Sequence, residues 1–176
     1  MNDEMMGPGK FTSADGKSVY EGEWVANEKH GVGSETFADG SKFKGDYEHG
    51  SRTGKGIFTW PNGQYYIGQF QSDSIQGQGK CVWPDGREYD GSWLNGKQHG
   101  KGNQRSANGK TYEGEYVQDR KHGHGVYTWP DGRKYDGEWI DGKQHGIGNY
   151  TDASGVTKQG LWTKGERKFW VNEKNH

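Results

Sequence analysis

Aromatic and polar residues alternate along short stretches of the chain, with a glycine at the centre of each stretch. In one of them, Tyr112, Gly114 and Tyr116 fall on one side of an extended segment, while Glu113 and Glu115 fall on the other. Alternation with a period of two residues is typical of a β-strand that has one apolar and one polar face. The pattern therefore predicts strands with an aromatic face and an acidic face.

The alternating pattern recurs every 23 residues along most of the chain. Three rows of glycine keep this interval. They are Gly22, Gly45, Gly68, Gly91, Gly114, Gly137 and Gly160; Gly31, Gly54, Gly77, Gly100, Gly123 and Gly146; and Gly33, Gly56, Gly79, Gly102, Gly125 and Gly148. A fixed period without room for a helix indicates one small β unit that is stacked on copies of itself.

Asparagine–glycine or aspartate–glycine pairs separate the copies, at residues 62–63, 85–86, 108–109 and 131–132. Such pairs supply the positive φ angles of a tight hairpin turn. We therefore predict an all-β fold, an elongated single-layer antiparallel β-meander of stacked hairpin repeats. About 14 strands at a spacing of ~4.8 Å would form a ribbon of roughly 65 Å.

The same register predicts where the array begins and ends. The predicted division is an N-terminal tail at 1–6, an array at 7–164 made of a half unit at 7–19, six full units at 20–157 and a partial unit at 158–164, and a C-terminal cap and tail at 165–176. Phe169 and Val171 occupy the places where the glycine pair would recur. Together with Trp170 they are predicted to cap the last row of rings, as repeat arrays require.

Two columns of rings accompany the glycines. The first contains Tyr20, Phe43, Tyr66, Tyr89, Tyr112 and Tyr135, and the second contains Trp24, Tyr47, Phe70, Trp93, Tyr116, Trp139 and Trp162. Glycine inside a strand usually marks the close approach of another group. We expect the rings to lie flat over the glycine backbone and to replace a conventional core.

Composition narrows the class of protein. Only 27% of the residues are hydrophobic, but 14% are aromatic and 32 are glycine, which fits a thin sheet covered by rings. A net charge of -1 gives no bulk attraction to nucleic acid, so no nucleic-acid partner is predicted.

Cys81 is the single cysteine, which favours a reducing compartment. No apolar run approaches the ~18 residues that span a bilayer, and residues 1–10 lack a signal peptide, so an intracellular protein is expected.

The repeat resembles a known family. Residues 135–139 read Tyr-Asp-Gly-Glu-Trp, residues 145–148 read His-Gly-Ile-Gly, and Pro-Asp-Gly closes the repeat at 130–132. This is similar to the MORN (membrane occupation and recognition nexus) repeat, over about residues 7–164. The resemblance implies an elongated scaffold without catalytic activity, like those of radial spokes and cytoskeletal rings. By analogy, it also implies protein partners in a cytoskeletal complex of the cytoplasm, with the ciliary axoneme as the first candidate location.

Aromatic rings are the predicted contacts for such a partner, since Trp and Tyr dominate interface energetics. The predicted partner-binding residues are Trp24, Trp60, Trp83, Trp93, Tyr116, Trp129 and Trp139. The competing interpretation is that packing within the sheet buries all of these rings.

Membrane binding is the alternative function, through a basic row on one rim that would attract anionic phospholipids, including phosphoinositides. The row consists of Lys29, Arg52, Lys97, Arg120, Lys121 and Lys143. The loop histidines of neighbouring repeats would lie ~10 Å apart, too far to share one metal ion. The sequence predicts no metal, no cofactor and no catalytic residue.

Overall fold

The computed structural model describes residues 4–171, which form two compact units, one ending at Pro84 and the other beginning at Asp85. Both units consist of antiparallel strands joined by short turns, and no helix occurs within residues 4–171. Residues 1–3 and 172–176 of the predicted tails lie outside the described part of the chain.

The first unit is a meander of seven strands, each paired with the next along the chain. They are β1 (Gly7–Thr12), β2 (Val19–Val25), β3 (Glu28–Thr36), β4 (Lys42–Glu48), β5 (Ser51–Thr59), β6 (Tyr65–Gln71) and β7 (Ser74–Val82). Short strands of seven residues alternate with strands of nine residues from β2 onwards.

The second unit continues the same pattern with eight strands, again paired in chain order. They are β8 (Glu88–Leu94), β9 (Lys97–Arg105), β10 (Thr111–Val117), β11 (Arg120–Thr128), β12 (Lys134–Ile140), β13 (Lys143–Thr151), β14 (Thr157–Thr163) and β15 (Glu166–Trp170). The all-β antiparallel meander predicted from the alternation is confirmed. The described residues contain fifteen strands, because the segment predicted as a cap contributes β15.

The first column of rings covers the glycines as predicted. Tyr112 is 1% exposed, and its ring lies over both Gly114 and Gly125. Its hydroxyl donates a hydrogen bond to the carbonyl oxygen of Glu115 at 3.0 Å. The equivalent bonds are made by Tyr20, Tyr66, Tyr89 and Tyr135. A ring thus takes the place that a side chain on the strand would otherwise fill.

Bulges explain the glycine row that contains Gly123, which was expected, like the other two rows, to lie beneath the rings. Gly123 lies in a bulge, where the pairing of β10 with β11 shifts between Gly114 and Glu115, and its φ is 57°. A β-carbon on Gly123 would meet the carboxylate of Glu115, which belongs to the polar face, instead of a ring. The prediction for this row was wrong, because these glycines permit a positive φ at a bulge.

The tightest turns also lie elsewhere than predicted. The two-residue turn between β10 and β11 has positive φ at both Gln118 (47°) and Asp119 (67°). The predicted Asp-Gly pair at 131–132 belongs to a wider loop, where the N–H of Gly132 donates to the oxygen of Trp129 at 3.0 Å. In this loop only Gly132 has a positive φ, so one glycine is sufficient to close it.

The last strand caps the rings in a different way from the prediction. Trp170 pairs with Gly160, and its ring centroid lies 6.0 Å from that of Trp162. Phe169 is 48% exposed and pairs with Leu161 on the other face. The reason is that the bulge of β15 skips one residue, where the full repeats skip two. Trp170 therefore takes the capping position that was assigned to Phe169 and Val171.

Candidate partner-binding surface

Four of the seven rings predicted to bind a partner are buried within the sheet. Trp24 and Trp93 are each 7% exposed, Tyr116 is 2% and Trp139 is 5% exposed. Trp139 makes edge-on contacts with the first-column ring of its own repeat and with that of the preceding repeat. The expectation that these four rings are exposed was wrong, because the second column packs between successive repeats. Their role in binding stays a prediction.

The other three predicted rings, Trp60, Trp83 and Trp129, are half-buried. Each follows the last residue of a nine-residue strand and precedes the proline of a wide loop. At this end of the strands the rings have neighbours on fewer sides than the rings of the second column. They therefore combine a fixed position with an accessible face.

In the first unit, Trp60 belongs to a cluster with two phenylalanines. The ring centroid of Phe58 lies 4.6 Å from that of Trp60 and 5.8 Å from that of Phe37. The guanidinium group of Arg52 lies over the rings of Phe37 and Phe58, at 5.5 and 5.3 Å from their centroids. Its Nε donates to Oδ1 of Asp73 at 3.0 Å, so this cation already has a counter-ion.

In the second unit, half-buried rings form a row along the ends of three strands. Trp129 lies 4.6 Å from Tyr127 and 6.4 Å from Tyr150, between ring centroids, and Tyr150 lies 6.1 Å from Trp170. We call Tyr127, Trp129, Tyr150 and Trp170 the open ring row. It is the most extended set of half-buried rings in the described part of the second unit.

Comparison with known families identifies the repeat. A family model for the MORN repeat matches residues 1–18, 20–42, 43–65, 66–86, 89–111, 112–132 and 135–157. The chain belongs to the MORN-repeat family. Six of these seven matches start at a first-column ring, and the remaining match, over residues 1–18, covers β1. No curated protein sequence matches the chain.

Two solved structures align with most of this chain. The TCP domain of SAS-4 (dCPAP) from Drosophila melanogaster, in complex with a proline-rich motif of Ana2 (dSTIL), aligns with a TM-score of 0.52 and 9% identity, over 88% of this chain and 90% of that chain. The G-box domain of the microcephaly protein CPAP aligns with a TM-score of 0.49 and 17% identity, over 92% and 91% of the two chains. At 9% identity the likeness to the TCP domain concerns the fold alone.

The basic row predicted for lipid binding divides between two positions of the MORN repeat. Lys29, Arg52 and Lys121 pair with second-column rings and project onto the aromatic face. Lys97, Arg120 and Lys143 each stand one residue earlier, at the start of a nine-residue strand, and are exposed. All six cations stand within the first two residues of a nine-residue strand, but because successive residues of a strand point to opposite faces, they project to two faces of the sheet. Their role in lipid binding stays a prediction.

Within residues 4–171, no group of three His, Cys, Asp or Glu side chains is arranged to hold a metal ion. No helix in that range is long and apolar enough to cross a bilayer. Cys81 is buried, in a position that carries a ring in several other repeats.

Buried phenols make the array sensitive to alkali. Burial raises the pKa of Tyr66 to about 12, and burial likewise raises the pKa of Tyr135 to about 12. Because folding favours the neutral phenol, these tyrosines stabilise the fold fully below pH 10 and lose that contribution as the pH rises towards 12. Each should shift the unfolding equilibrium by about tenfold per pH unit within this window.

Tyrosinate absorbance and far-ultraviolet circular dichroism should therefore change together on alkaline titration. The Tyr66→Phe variant should show a shallower loss of stability than the wild type. Tyrosinate formation well before the dichroism changes would contradict this account.

Proposed function

We propose that this MORN-repeat chain is a protein-interaction module without catalytic activity, and that the open ring row binds an extended segment of a partner. The observation that carries the proposal is the contrast between the second-column rings, which are buried, and Trp129 and its neighbours, which are half-buried but held in place by ring contacts. Rigid aromatic rings with one accessible face are the usual anchors of protein interfaces.

The similarity in fold to the TCP domain supports the binding of an extended segment on this sheet. The Drosophila TCP domain carries a proline-rich motif of another protein, and proline-rich segments bind as extended chains against aromatic rings. The wall of rings here is interrupted, since Gln104, Ser106 and Asp152 stand where other repeats carry rings. An interrupted wall gives the surface a shape that can select one segment over another.

Protein binding is favoured over binding of anionic lipid by the way the basic residues are used. Arg52 is paired with Asp73, and Lys29 is paired with Glu35. Of the remaining cations, Lys121 lies on the aromatic face. The other three are Lys97, Arg120 and Lys143, which share the opposite face, and Arg120 among them is paired with Asp141. A peripheral membrane module needs several unpaired cations on a common surface.

The cellular setting that we propose is a cytoskeletal assembly, with the ciliary axoneme as the first candidate. The support is the family membership alone, since MORN proteins commonly act as scaffolds. A fluorescently tagged chain should then co-localise with axonemal tubulin and remain in the pellet after detergent extraction. A diffuse, fully extractable signal would contradict this location.

Selection of peptides tests the binding function directly. The immobilised full chain is used to select from a random peptide library, and the enriched peptides are measured by fluorescence anisotropy. Replacement of Trp129 with alanine should weaken their binding by tenfold or more, which corresponds to about 1.4 kcal/mol or more. The matched control is Ile147→Ala, which truncates a side chain that is 47% exposed on the polar face of the same unit.

Binding that depends on Ile147 and not on Trp129 would place the interface on the polar face and contradict the proposal. Enrichment of no peptide at all would contradict the peptide-binding function itself.

A further inference from the structure

Lys121 is a partly buried cation that is surrounded by rings. Its Nζ lies 4.7 Å from the ring centroid of Tyr127, 5.1 Å from that of Tyr112 and 5.4 Å from that of Trp139. Tyr127 also belongs to the open ring row, so the ammonium group lies at one end of that row. Ring faces attract the cation, but they do not supply a hydrogen-bond acceptor comparable to a carboxylate.

No carboxylate within residues 4–171 forms an ion pair or a hydrogen bond with the ammonium group of Lys121. Burial lowers the pKa of Lys121, and no neighbouring charge offsets that effect. The turn carboxylate of Asp141 is paired with Arg120 instead, at 3.1 Å. Among the residues that the structure describes, Lys121 is therefore a partly desolvated cation without a counter-ion.

An equivalent lysine in the first unit has the counter-ion that Lys121 lacks. Lys29 occupies the same position of its repeat, with Nζ 5.0 Å from the ring centroid of Tyr20. It forms an ion pair with Glu35, six residues later. Six residues after Lys121 stands Tyr127. The second unit has thus replaced the internal counter-ion with a half-buried ring.

Further cations lie at the other end of the open ring row. The guanidinium group of Arg167 lies 4.1 Å from the ring centroid of Trp170, and Nζ of Lys158 lies 5.5 Å from it. Asp152 stands near this end as an anion, and its Oδ1 accepts the N–H groups of Ser154 and Val156 within its own turn. The row therefore has a cation against a ring at each of its ends.

We infer that the segment bound by the open ring row is acidic, with an Asp or Glu side chain that pairs with Lys121 and an apolar side chain that packs beside Trp129. This inference rests on the proposed function and specifies the chemistry of the partner. A partly desolvated ammonium group gains a charge-assisted hydrogen bond when a carboxylate binds, and its own desolvation has already occurred on folding. Charge complementarity of this kind also fixes the register of the bound segment.

The peptides selected on the full chain provide the test. We expect Asp and Glu to be enriched among them, and we expect Lys121→Met to weaken their binding by about tenfold or more. Lys101→Met is the matched control, because Lys101 is an exposed lysine on the polar face of the same unit. For a peptide whose acidic residue is changed to the amide, Lys121→Met should have little effect, which defines a double-mutant cycle.

A second pair of variants separates charge from packing. Tyr127→Glu supplies Lys121 with the counter-ion that Lys29 already has, whereas Tyr127→Gln removes the same ring without adding charge. Both lose ring contacts with the peptide. We expect Tyr127→Glu to bind acidic peptides about tenfold more weakly than Tyr127→Gln does. Urea denaturation of each variant confirms that it is folded.

The outcomes distinguish the two proposals. Peptides that bind through Trp129 without acidic preference, or acidic peptides that bind Lys121→Met as tightly as the wild type, would overturn this inference and leave the binding function standing. The last experiment measures binding of the chain to vesicles made of equal parts of phosphatidylcholine and phosphatidylserine. Lys121-dependent binding to these vesicles, without selection of acidic peptides, would assign the cation to a lipid headgroup and also overturn the inference.

Discussion

Replacement of Trp139 with alanine is expected to lower the free energy of unfolding of the second unit by about 3–5 kcal/mol. The indole is 5% exposed, and its centroid lies 5.2 Å from that of Tyr112 and 5.4 Å from that of Tyr135. Its Nε1–H also donates to the carbonyl oxygen of Gly125 at 3.0 Å. Truncation would leave a cavity between two repeats, and the described residues of this unit form no second layer that could fill it. Urea denaturation followed by circular dichroism measures the loss.

Two further variants serve as controls for Trp139→Ala. Trp139→Phe keeps most of the ring contacts and loses the hydrogen bond to Gly125, so its cost should be the smaller. Trp129→Ala removes an indole that is only half-buried, and it should destabilise less than Trp139→Ala does. Equal costs for Trp129→Ala and Trp139→Ala would contradict the division between core rings and open rings.

Replacement of Gly125 with alanine is expected to cost about 2–4 kcal/mol. An added β-carbon would lie 2.5 Å from both Cε2 and Cζ of Tyr112, well inside van der Waals contact. The ring is buried and its hydroxyl is bonded to the carbonyl oxygen of Glu115, so it cannot move aside without losing that bond. Thermal and urea denaturation of the variant measure the effect.

The cause of this cost can be tested by removing the ring. In a Tyr112→Ala background the added methyl group enters the vacated space, so Gly125→Ala should cost much less there, which is a strong coupling between the two sites. Gly114→Ala should stay costly in the same background, because its β-carbon would lie 2.5 Å from Cα of Gly125 and 2.7 Å from the carbonyl oxygen of His124. Additive effects of Tyr112→Ala and Gly125→Ala would contradict the account of rings over glycine.

These stability effects determine which variants can report on function. A substitution of Trp93 or Trp139 that abolishes binding has an ambiguous meaning, because both rings belong to the core. Trp129 and Lys121 are only half-buried, so either side chain can be removed with less damage to packing. Binding experiments on this chain should therefore use these positions.

Much of the fold was encoded in the sequence as a repeated local pattern. Alternation along residues such as Tyr112, Gly114 and Tyr116 defined strands and faces, and the constant spacing of Gly114 and Gly125 showed that a ring crosses the backbone there. Both features are local or periodic, so one repeat predicts the next. The strands, their order and the ring-over-glycine packing followed from this regularity.

The candidate site depended on the tertiary structure. Trp129 and Trp139 look equivalent in the sequence, but only the number of neighbouring repeats around each ring determines that one is accessible and the other buried. The bulge at Gly123 and the missing counter-ion of Lys121 likewise result from pairing between strands. Alternation specifies the face on which a side chain lies, whereas its exposure and its charge partners are set by residues that lie far from it in the sequence.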